Sequence, residues 1–356
     1  MIKIYNMDVM KALKMMPDES VDMQITSPPY WGLRDYGVEG QIGLEPNFND
    51  YIKKMCDIFD EVKRVLKKDG TCWVNLGDTY SNSNWLGDKP NKFNAIKMNP
   101  SCKTAGRGAQ EGYKDKCLCC IPERFCLEMI NHGWILRNKI IWHKPNHMPT
   151  SVKDRFANSW EYLYFFSKSK KYYFDLDAVR EPHKWAEKDK RSELGRVEHK
   201  SGKTLLPDFQ GGFNGVGYNP KGKNPDDVCK FNSYDGLRDI GQVSFSGRLR
   251  KDGETYQPNE LGKNPSDFWE ITTQPYPESH FAVFPEALVE RPIKTTRKDA
   301  MIMDIFAGSG TTLKVARDLG RNAIGIEIKL EYCDLIKKRL FNGNQNLFPE
   351  NFEIIK

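Results

Sequence analysis

The sequence predicts an α/β protein with a doubly wound, mostly parallel sheet and a region inserted into it. Three observations carry this. Residues 19–78 read as strand, corner, helix and strand, a unit that suits an open α/β sheet. Residues 300–340 read as strand, glycine loop, helix, strand and closing helix. Between them, from about Leu176 to Pro265, sustained apolar stripes give way to Gly, Lys, Asn and Ser, as in a small irregular domain or a segment that orders on a partner.

Taken in order, "ESVDMQIT" (19–26) is a short strand after a turn at Pro17-Asp18. It runs straight into Ser27-Pro28-Pro29-Tyr30-Trp31, where the prolines stop helix and strand alike. Residues 49–68 place Tyr51, Ile52, Met55, Ile58, Phe59, Val62, Val65 and Leu66 at helical spacing, with Gly70 as the stop. "TCWVNLGD" (71–78) is a buried strand, and 79–115 is a long mobile loop of the kind that needs a functional reason. "IPERFCLEMINHG" (121–133) is a helix, with Pro122 at an allowed early position and Gly133 near its end. "WILRNKIIWHKP" (134–145) and "EYLYFFSKS" (161–169) follow as aromatic-rich strands.

After Phe268-Trp269, "HFAVFPEALVERPIKTT" (280–296) reads as a helix and "AMIMDIF" (300–306) as a strand. "LKVARDLG" (313–320) is a helix, "RNAIGIEI" (321–328) a strand and "KLEYCDLIKKRL" (329–340) a closing helix. The expected organisation is therefore a first half at 1–175, an insert at 176–265, a second half at 266–342 and a tail of little pattern at 343–356.

The 356 residues carry a formal charge of +6, a modest positive balance compatible with a nucleic-acid partner. Basic residues cluster locally at Lys168, Lys170 and Lys171, and again between Lys184 and Lys203. No apolar run approaches the roughly 18 residues of a membrane span, so no membrane is expected. The start lacks a signal-peptide pattern and the nine cysteines are unevenly spaced, which predicts a reduced, cytoplasmic chain. Cys117, Cys119 and Cys120 are too tightly spaced for a C-x₂-C knuckle and no second pair follows; they and Cys126 read as packing residues, with no metal expected.

The loop "AGSGTT" joins an apolar strand to a helix. Gly308 and Gly310 let the backbone approach a ligand, and the free N–H groups of the next helix favour polar or anionic groups. Asp304 ends the strand, where it could accept a bond from a cationic amine. Glu327 ends the following strand, where an acidic residue commonly holds a ribose diol. A phosphate-gripping loop would need Gly-Lys-Ser/Thr, but Thr311-Thr312 follow Gly310. A dinucleotide fingerprint would need a third glycine where Leu313 stands. An adenosine-containing cofactor without a pyrophosphate fits better.

"DIFAGSGTT" together with "TSPPYW" resembles the S-adenosylmethionine-dependent DNA amino-methyltransferases, which methylate N4 of cytosine or N6 of adenine. The order of the motifs is similar to the permuted beta group of that family, and the resemblance covers about 1–78, 116–175 and 268–340. It implies a permuted Rossmann-like methyltransferase fold with a target-recognition region at 176–265. It further implies S-adenosyl-L-methionine as cofactor, double-stranded DNA as substrate and a cognate restriction endonuclease as candidate partner. Carried over by motif, the catalytic residues are Ser27, Pro28, Pro29 and Tyr30. The cofactor loop is Asp304, Phe306, Gly308, Ser309, Gly310 and Thr311, with Glu327 as the ribose acid and Asp8 near the adenine. His280, Phe281, Phe284 and Pro285 are candidates for closing over the methionine end.

The implied chemistry explains these residue types. The lone pair of an exocyclic amine is delocalised into its ring, so acceptors that bond its hydrogens expose it for attack. Ser27 Oγ and the Pro28 carbonyl could serve, on a turn that the prolines hold rigid, while Tyr30 supplies a face for an extruded base. The family's adenine enzymes more often carry Asp at the Ser27 position and its cytosine-N4 enzymes Ser, which favours N4-cytosine over N6-adenine. Trp31, Asp78, His143, Lys144, His147, Lys168, Lys170 and Lys171 are further candidates for base or DNA contact. Two other readings stand beside this one. A peptide-glutamine methyltransferase usually has an Asn-led corner placed after the cofactor loop, and a silent DNA-binding module would bind DNA without cofactor.

Overall fold

The computed structural model describes residues 1–33, 35, 37–81, 114–150, 152–181, 261, 263–274, 285–341 and 352–356. Its elements in chain order are β1 (Ile2–Tyr5), α1 (Val9–Met15), β2 (Val21–Thr26), α2 (Phe48–Val65), β3 (Leu66–Leu76) and α3 (Ile121–Asn131). Then come β4 (Ile135–His143), β5 (Trp160–Ser167), β6 (Phe268–Glu270), α4 (Glu286–Lys294), β7 (Met301–Asp304), α5 (Thr311–Asp318), β8 (Asn322–Ile326), α6 (Leu330–Phe341) and β9 (Phe352–Ile355).

The strands form one sheet in the order β6-β4-β5-β3-β2-β7-β8-β1-β9. Every neighbouring pair is parallel except β3/β5 and β4/β5, so β5 alone runs against the rest. Side chains alternate across the pleat and build a core on each face. Cys72, Val74, Tyr164 and Phe166 pack with Leu13 of α1, Phe59 of α2 and Phe125 of α3. Trp73, Leu163 and Phe165 point the other way, into the core that holds Val289 of α4, Leu313 of α5 and Ile336 of α6. Helices on both faces make the sheet doubly wound, and it is permuted and Rossmann-like.

Helix α2 shows how local sequence sets an element. The Asn47 side chain accepts from Asp50 N at 2.9 Å, Asp50 sits in the first turn, and Lys63 and Arg64 complement the last. The expected stop at Gly70 is replaced by an earlier end. Leu66 is already extended, with φ −67° and ψ 137°, and the chain passes directly into β3. Gly70 has a different use: a Cβ there would meet the Lys67 and Asp22 carbonyls at 3.0 and 3.1 Å, so it permits close backbone approach.

The helix expected over 280–296 is described only from Glu286; 280–284 lie outside the described residues. In the tail expected to lack pattern, Phe352–Ile355 pairs in parallel with β1 and Asn6 N donates to Ile355 O at 2.8 Å. A run of four residues carries too little periodicity to announce that pairing.

The chain divides into two compact units. One holds 1–147, 159–178 and 266–356, including the whole sheet; the other holds 148–158 and 179–265. Within the second, Glu181 and Lys263 exchange backbone hydrogen bonds of 3.0 and 2.9 Å and form an ion pair. Most of the expected loop at 79–115 and of the expected insert at 176–265 lies outside the described residues. At the base of that loop the two ends of the chain bond each other, Ser81 N donating to Cys117 O and Lys116 N to Ser81 O.

Among the described residues, no helix is long and apolar enough to cross a membrane.

Candidate active site

The sheet reverses its winding between β2 and β7. From β2 the chain crosses through α2 to β3 on one side; from β7 it crosses through α5 to β8 on the other. Crevices of open α/β sheets form at such a point, beyond the carboxyl ends of the strands. Ser27-Pro28-Pro29-Tyr30 leaves β2 there and Ile305–Gly310 leaves β7. The two loops are joined directly: Thr26 Oγ1 donates to Asp304 Oδ1 at 2.6 Å.

A cleft of about 300 Å³ opens at this point. Its lining includes Asp8, Ser27, Pro28, Pro29, Tyr30, Lys144, Asp304, Phe306, Gly308, Ser309, Thr311 and Glu327, all named from the sequence. Gly310 stands just behind, capping α5 at φ 78°, where a Cβ would strike Ile336 at 2.8 Å. Gly308, at φ 51°, has no atom nearer than Phe306 O at 3.9 Å in the direction of a Cβ, so its backbone faces open space.

Asp304 is buried and already engaged, accepting from Thr26 Oγ1, Phe306 N at 3.1 Å and Thr312 Oγ1 at 2.6 Å. Burial pushes its carboxyl up, against the pull of those hydrogen bonds. Its first effect is to lock the strand end to the Ser27–Tyr30 corner. Glu327 accepts from Gly308 N at 2.9 Å and Lys329 N at 2.8 Å, and burial raises its carboxyl to about 7. Ser309 and Thr311 both receive Arg339, at 3.1 and 2.8 Å, and Arg339 is held in turn by Glu286. Asp8 caps α1 by accepting from Lys11 N at 3.1 Å.

These groups fit the adenosine part of the expected cofactor, while Asp304, expected to accept from its amine, is taken up by Thr26, Phe306 and Thr312. Carboxylates at Asp8 and Glu327 offer acceptors for a base and a diol, Phe306 an apolar face, and Gly308 close backbone approach.

The Ser27–Tyr30 corner is fixed from behind. Tyr51 OH donates to Pro29 O at 2.9 Å, and Gly32 N to Gly43 O at 2.8 Å. The Tyr30 ring leans on Gly77 so closely that a Cβ there would meet it at 2.5 Å. Ser27 Oγ lies 3.2 Å from Asn75 Oδ1, and Tyr30 OH 2.8 Å from Glu161 Oε2. Burial and the Glu161 charge push the Tyr30 phenol well above its ordinary value, so it stays a donor.

Other candidates lie elsewhere. Trp31 is turned into the core, edge-on to Phe48 with its indole N–H on Glu45 O at 2.9 Å, and does not line the cleft. Asp78 caps α3, accepting from Cys120 N at 3.0 Å and Ile121 N at 3.1 Å, because those amides have no partner inside the helix. Its carboxylate, Cys120 and Glu123 bring ligand atoms within 4.8 Å of one another, a grouping not expected from the sequence. His143 is 2% exposed and stacks on Phe268, which places it inside rather than on the surface. His147 folds back on Lys144 O and stays clear of the cleft.

Because β5 is reversed, Lys168, Lys170 and Lys171 follow it to the amino ends of the parallel strands, opposite the cleft. Lys168 Nζ is spent there on Leu66 O at 2.6 Å. His280, Phe281 and Phe284 lie outside the described residues, and Pro285 caps α4 away from the cleft lining.

Sequence reading missed Asn75, Glu161, Trp142, Lys329 and Tyr332, all of which line the cleft. A signal existed for two of them: Asn75 interrupts an apolar strand, and Glu161 is a lone carboxylate in an aromatic one.

Known proteins resemble this chain along most of its length. The chain is 35% identical over 342 residues to the type II methyltransferase M.SmaI of Serratia marcescens, covering 95% of this chain and 90% of that one. It is 32% identical to M.SfiI of Streptomyces fimbriatus, covering 92% and 88%. Among solved structures, the PvuII DNA methyltransferase (cytosine-N4-specific) superposes with a TM-score of 0.56 at 18% identity, over 96% of this chain and 86% of that one. A putative DNA modification methylase of Thermus thermophilus, solved with S-adenosyl-L-methionine, gives 0.53 at 18% over 100% and 98%. A family model described as DNA methylase matches residues 21–338, from the start of β2 into α6. With both motifs meeting in one cleft, the chain belongs to this N6/N4 DNA methylase family.

Proposed function

We propose that this protein transfers a methyl group from S-adenosyl-L-methionine to the exocyclic N4 amine of a cytosine turned out of duplex DNA. One observation carries the reading: the Ser27–Tyr30 corner and the Asp304–Thr311 loop line one cleft and are tied by the Thr26–Asp304 hydrogen bond. S-adenosyl-L-methionine supplies an electrophilic methyl on a sulfonium. The protein supplies alignment and a dry, polar setting for it. Asp8, Phe306, Gly308 and Glu327 hold the adenosine part. Ser27 Oγ and the Pro28 carbonyl accept from the target amine, the Pro29 carbonyl being already taken by Tyr51. Tyr30 stacks on the base, its edge anchored by Glu161.

The hydroxyl at Ser27 and the cytosine-N4 specificity named for the PvuII enzyme favour cytosine. The second compact unit, 148–158 with 179–265, supports a target-recognition role for the insert. The type II relatives support a restriction endonuclease of the same site as partner. Duplex DNA incubated with the protein and methyl-tritiated S-adenosyl-L-methionine should acquire acid-precipitable label, and RNA or protein substrates should not. Label confined to protein or RNA would overturn the reading.

A further inference from the structure

Ser27 raises a problem that a carboxylate at the same position would not. A carboxylate accepts in every orientation, whereas a hydroxyl both donates and accepts. To draw on the hydrogens of an amine, Ser27 must turn its own proton away from the cleft.

The structure contains the means. Asn75 Nδ2 donates to Tyr162 O at 3.0 Å and Glu161 Oε2 at 3.2 Å, which aims its Oδ1 at the corner. Two hydroxyls reach that oxygen, Ser27 Oγ and Tyr30 OH, each at 3.2 Å. Tyr30 has a single proton, and Glu161 Oε2 competes for it at 2.8 Å with a full negative charge. With that proton on Glu161, Asn75 Oδ1 is left for Ser27. The other Glu161 oxygen is paired with Lys144, whose ammonium also lies 4.2 Å from the Trp142 ring centroid.

We propose that Glu161 is a positioning residue for methyl transfer. By taking the Tyr30 proton it reserves Asn75 Oδ1 for the Ser27 proton, so that Ser27 presents lone pairs to the target amine. This rests on the reading above that an exocyclic amine accepts the methyl group.

The test is a set of variants followed by single-turnover methylation at saturating S-adenosyl-L-methionine and duplex DNA, beside binding of each. Glu161→Gln keeps the shape but removes the charge, and its amide sets a donor against Lys144 or Asn75. Tyr30 then also donates to Asn75 Oδ1, and with one oxygen serving two hydroxyls the Ser27 bond to it weakens. The single-turnover rate should fall about tenfold, less than when a preorganised catalytic hydrogen bond is lost outright. Affinity for the cofactor should stay within about twofold, since no cofactor-loop contact changes.

A purely structural role would not be relieved by Tyr30→Phe. In that background no phenol proton competes for Asn75, so adding Glu161→Gln should cost less than about threefold. If Glu161→Gln fails to fold, Asn75→Ala decides the matter: it removes the Ser27 partner directly and should reproduce the loss. A wild-type rate in either variant, a loss confined to DNA affinity, or the full Glu161→Gln cost persisting in Tyr30→Phe would each overturn the inference. An unmodified chain that methylates no amine would overturn the functional reading instead.

Discussion

Glu327 holds the Gly308 and Lys329 amides with a carboxylate that burial raises from 4.5 to about 7, so this contact and the diol contact we propose for it oppose each other in pH. The folded chain retains the Glu327 proton where the unfolded chain has lost it. Its contribution to stability is therefore full below about 4.5 and is lost as pH rises through about 7. Acceptance of ribose hydroxyls has the opposite sign, because the ionised form is the better acceptor. Calorimetric titration should show affinity for S-adenosyl-L-methionine strengthening from about pH 6 to about pH 8, and Glu327→Gln should bind weakly with no such dependence. A wild-type affinity flat across that range would remove Glu327 from the diol. At this scale, the residues legible in the sequence were those inside short continuous motifs, Ser27 and Gly308 among them. Asn75 and Glu161 each break the pattern of their strand, but their meeting was not legible, because it comes only through the β3/β5 pairing, in which Leu76 stands opposite Tyr162.

The elements place these groups, and their junctions are where substitution tells most. Strand β3 ends at Leu76, and Gly77 leaves just the room that the Tyr30 ring occupies, a Cβ there falling 2.5 Å from it. Gly77→Ala must displace Tyr30 or the strand end, since the obstruction is a rigid ring. Methylation should drop by about tenfold or more while cofactor binding, on the β7 side, holds. Rate and binding measured on the one variant check this, and an unimpaired rate would show that the ring position is not critical. Periodicity placed most helices and strands, because their buried faces repeat at the element's own spacing. It erred where a junction has no spacer: α2 passes into β3 at Leu66, and Lys67 and Lys68, polar enough to extend a helix, begin a strand instead. Short strands at the sheet edges, β6 and β9, give no period to read.

Across the whole molecule, the doubly wound class was legible because each half carries its own strand–loop–helix–strand unit. The direction of β5 was not, since sequence alone does not say whether 144–159 turns the chain back or crosses it over. That single reversal has two consequences. It brings Glu161 to the cleft, and it carries Lys168, Lys170 and Lys171 to the far end of the sheet. The meeting of the two motifs is likewise a property of the sheet order. Strands β2 and β7 are neighbours in it, and the Thr26–Asp304 bond joins residues 278 positions apart in the chain. The central claim is that this junction methylates cytosine N4 in duplex DNA. Mass spectrometry of nucleosides from plasmid DNA tests it most directly, in a host free of that modification expressing either the chain or Ser27→Ala. N4-methylcytosine should appear with the unaltered chain and fall sharply with the variant. N6-methyladenine in its place, or no methylated base at all, would contradict the account.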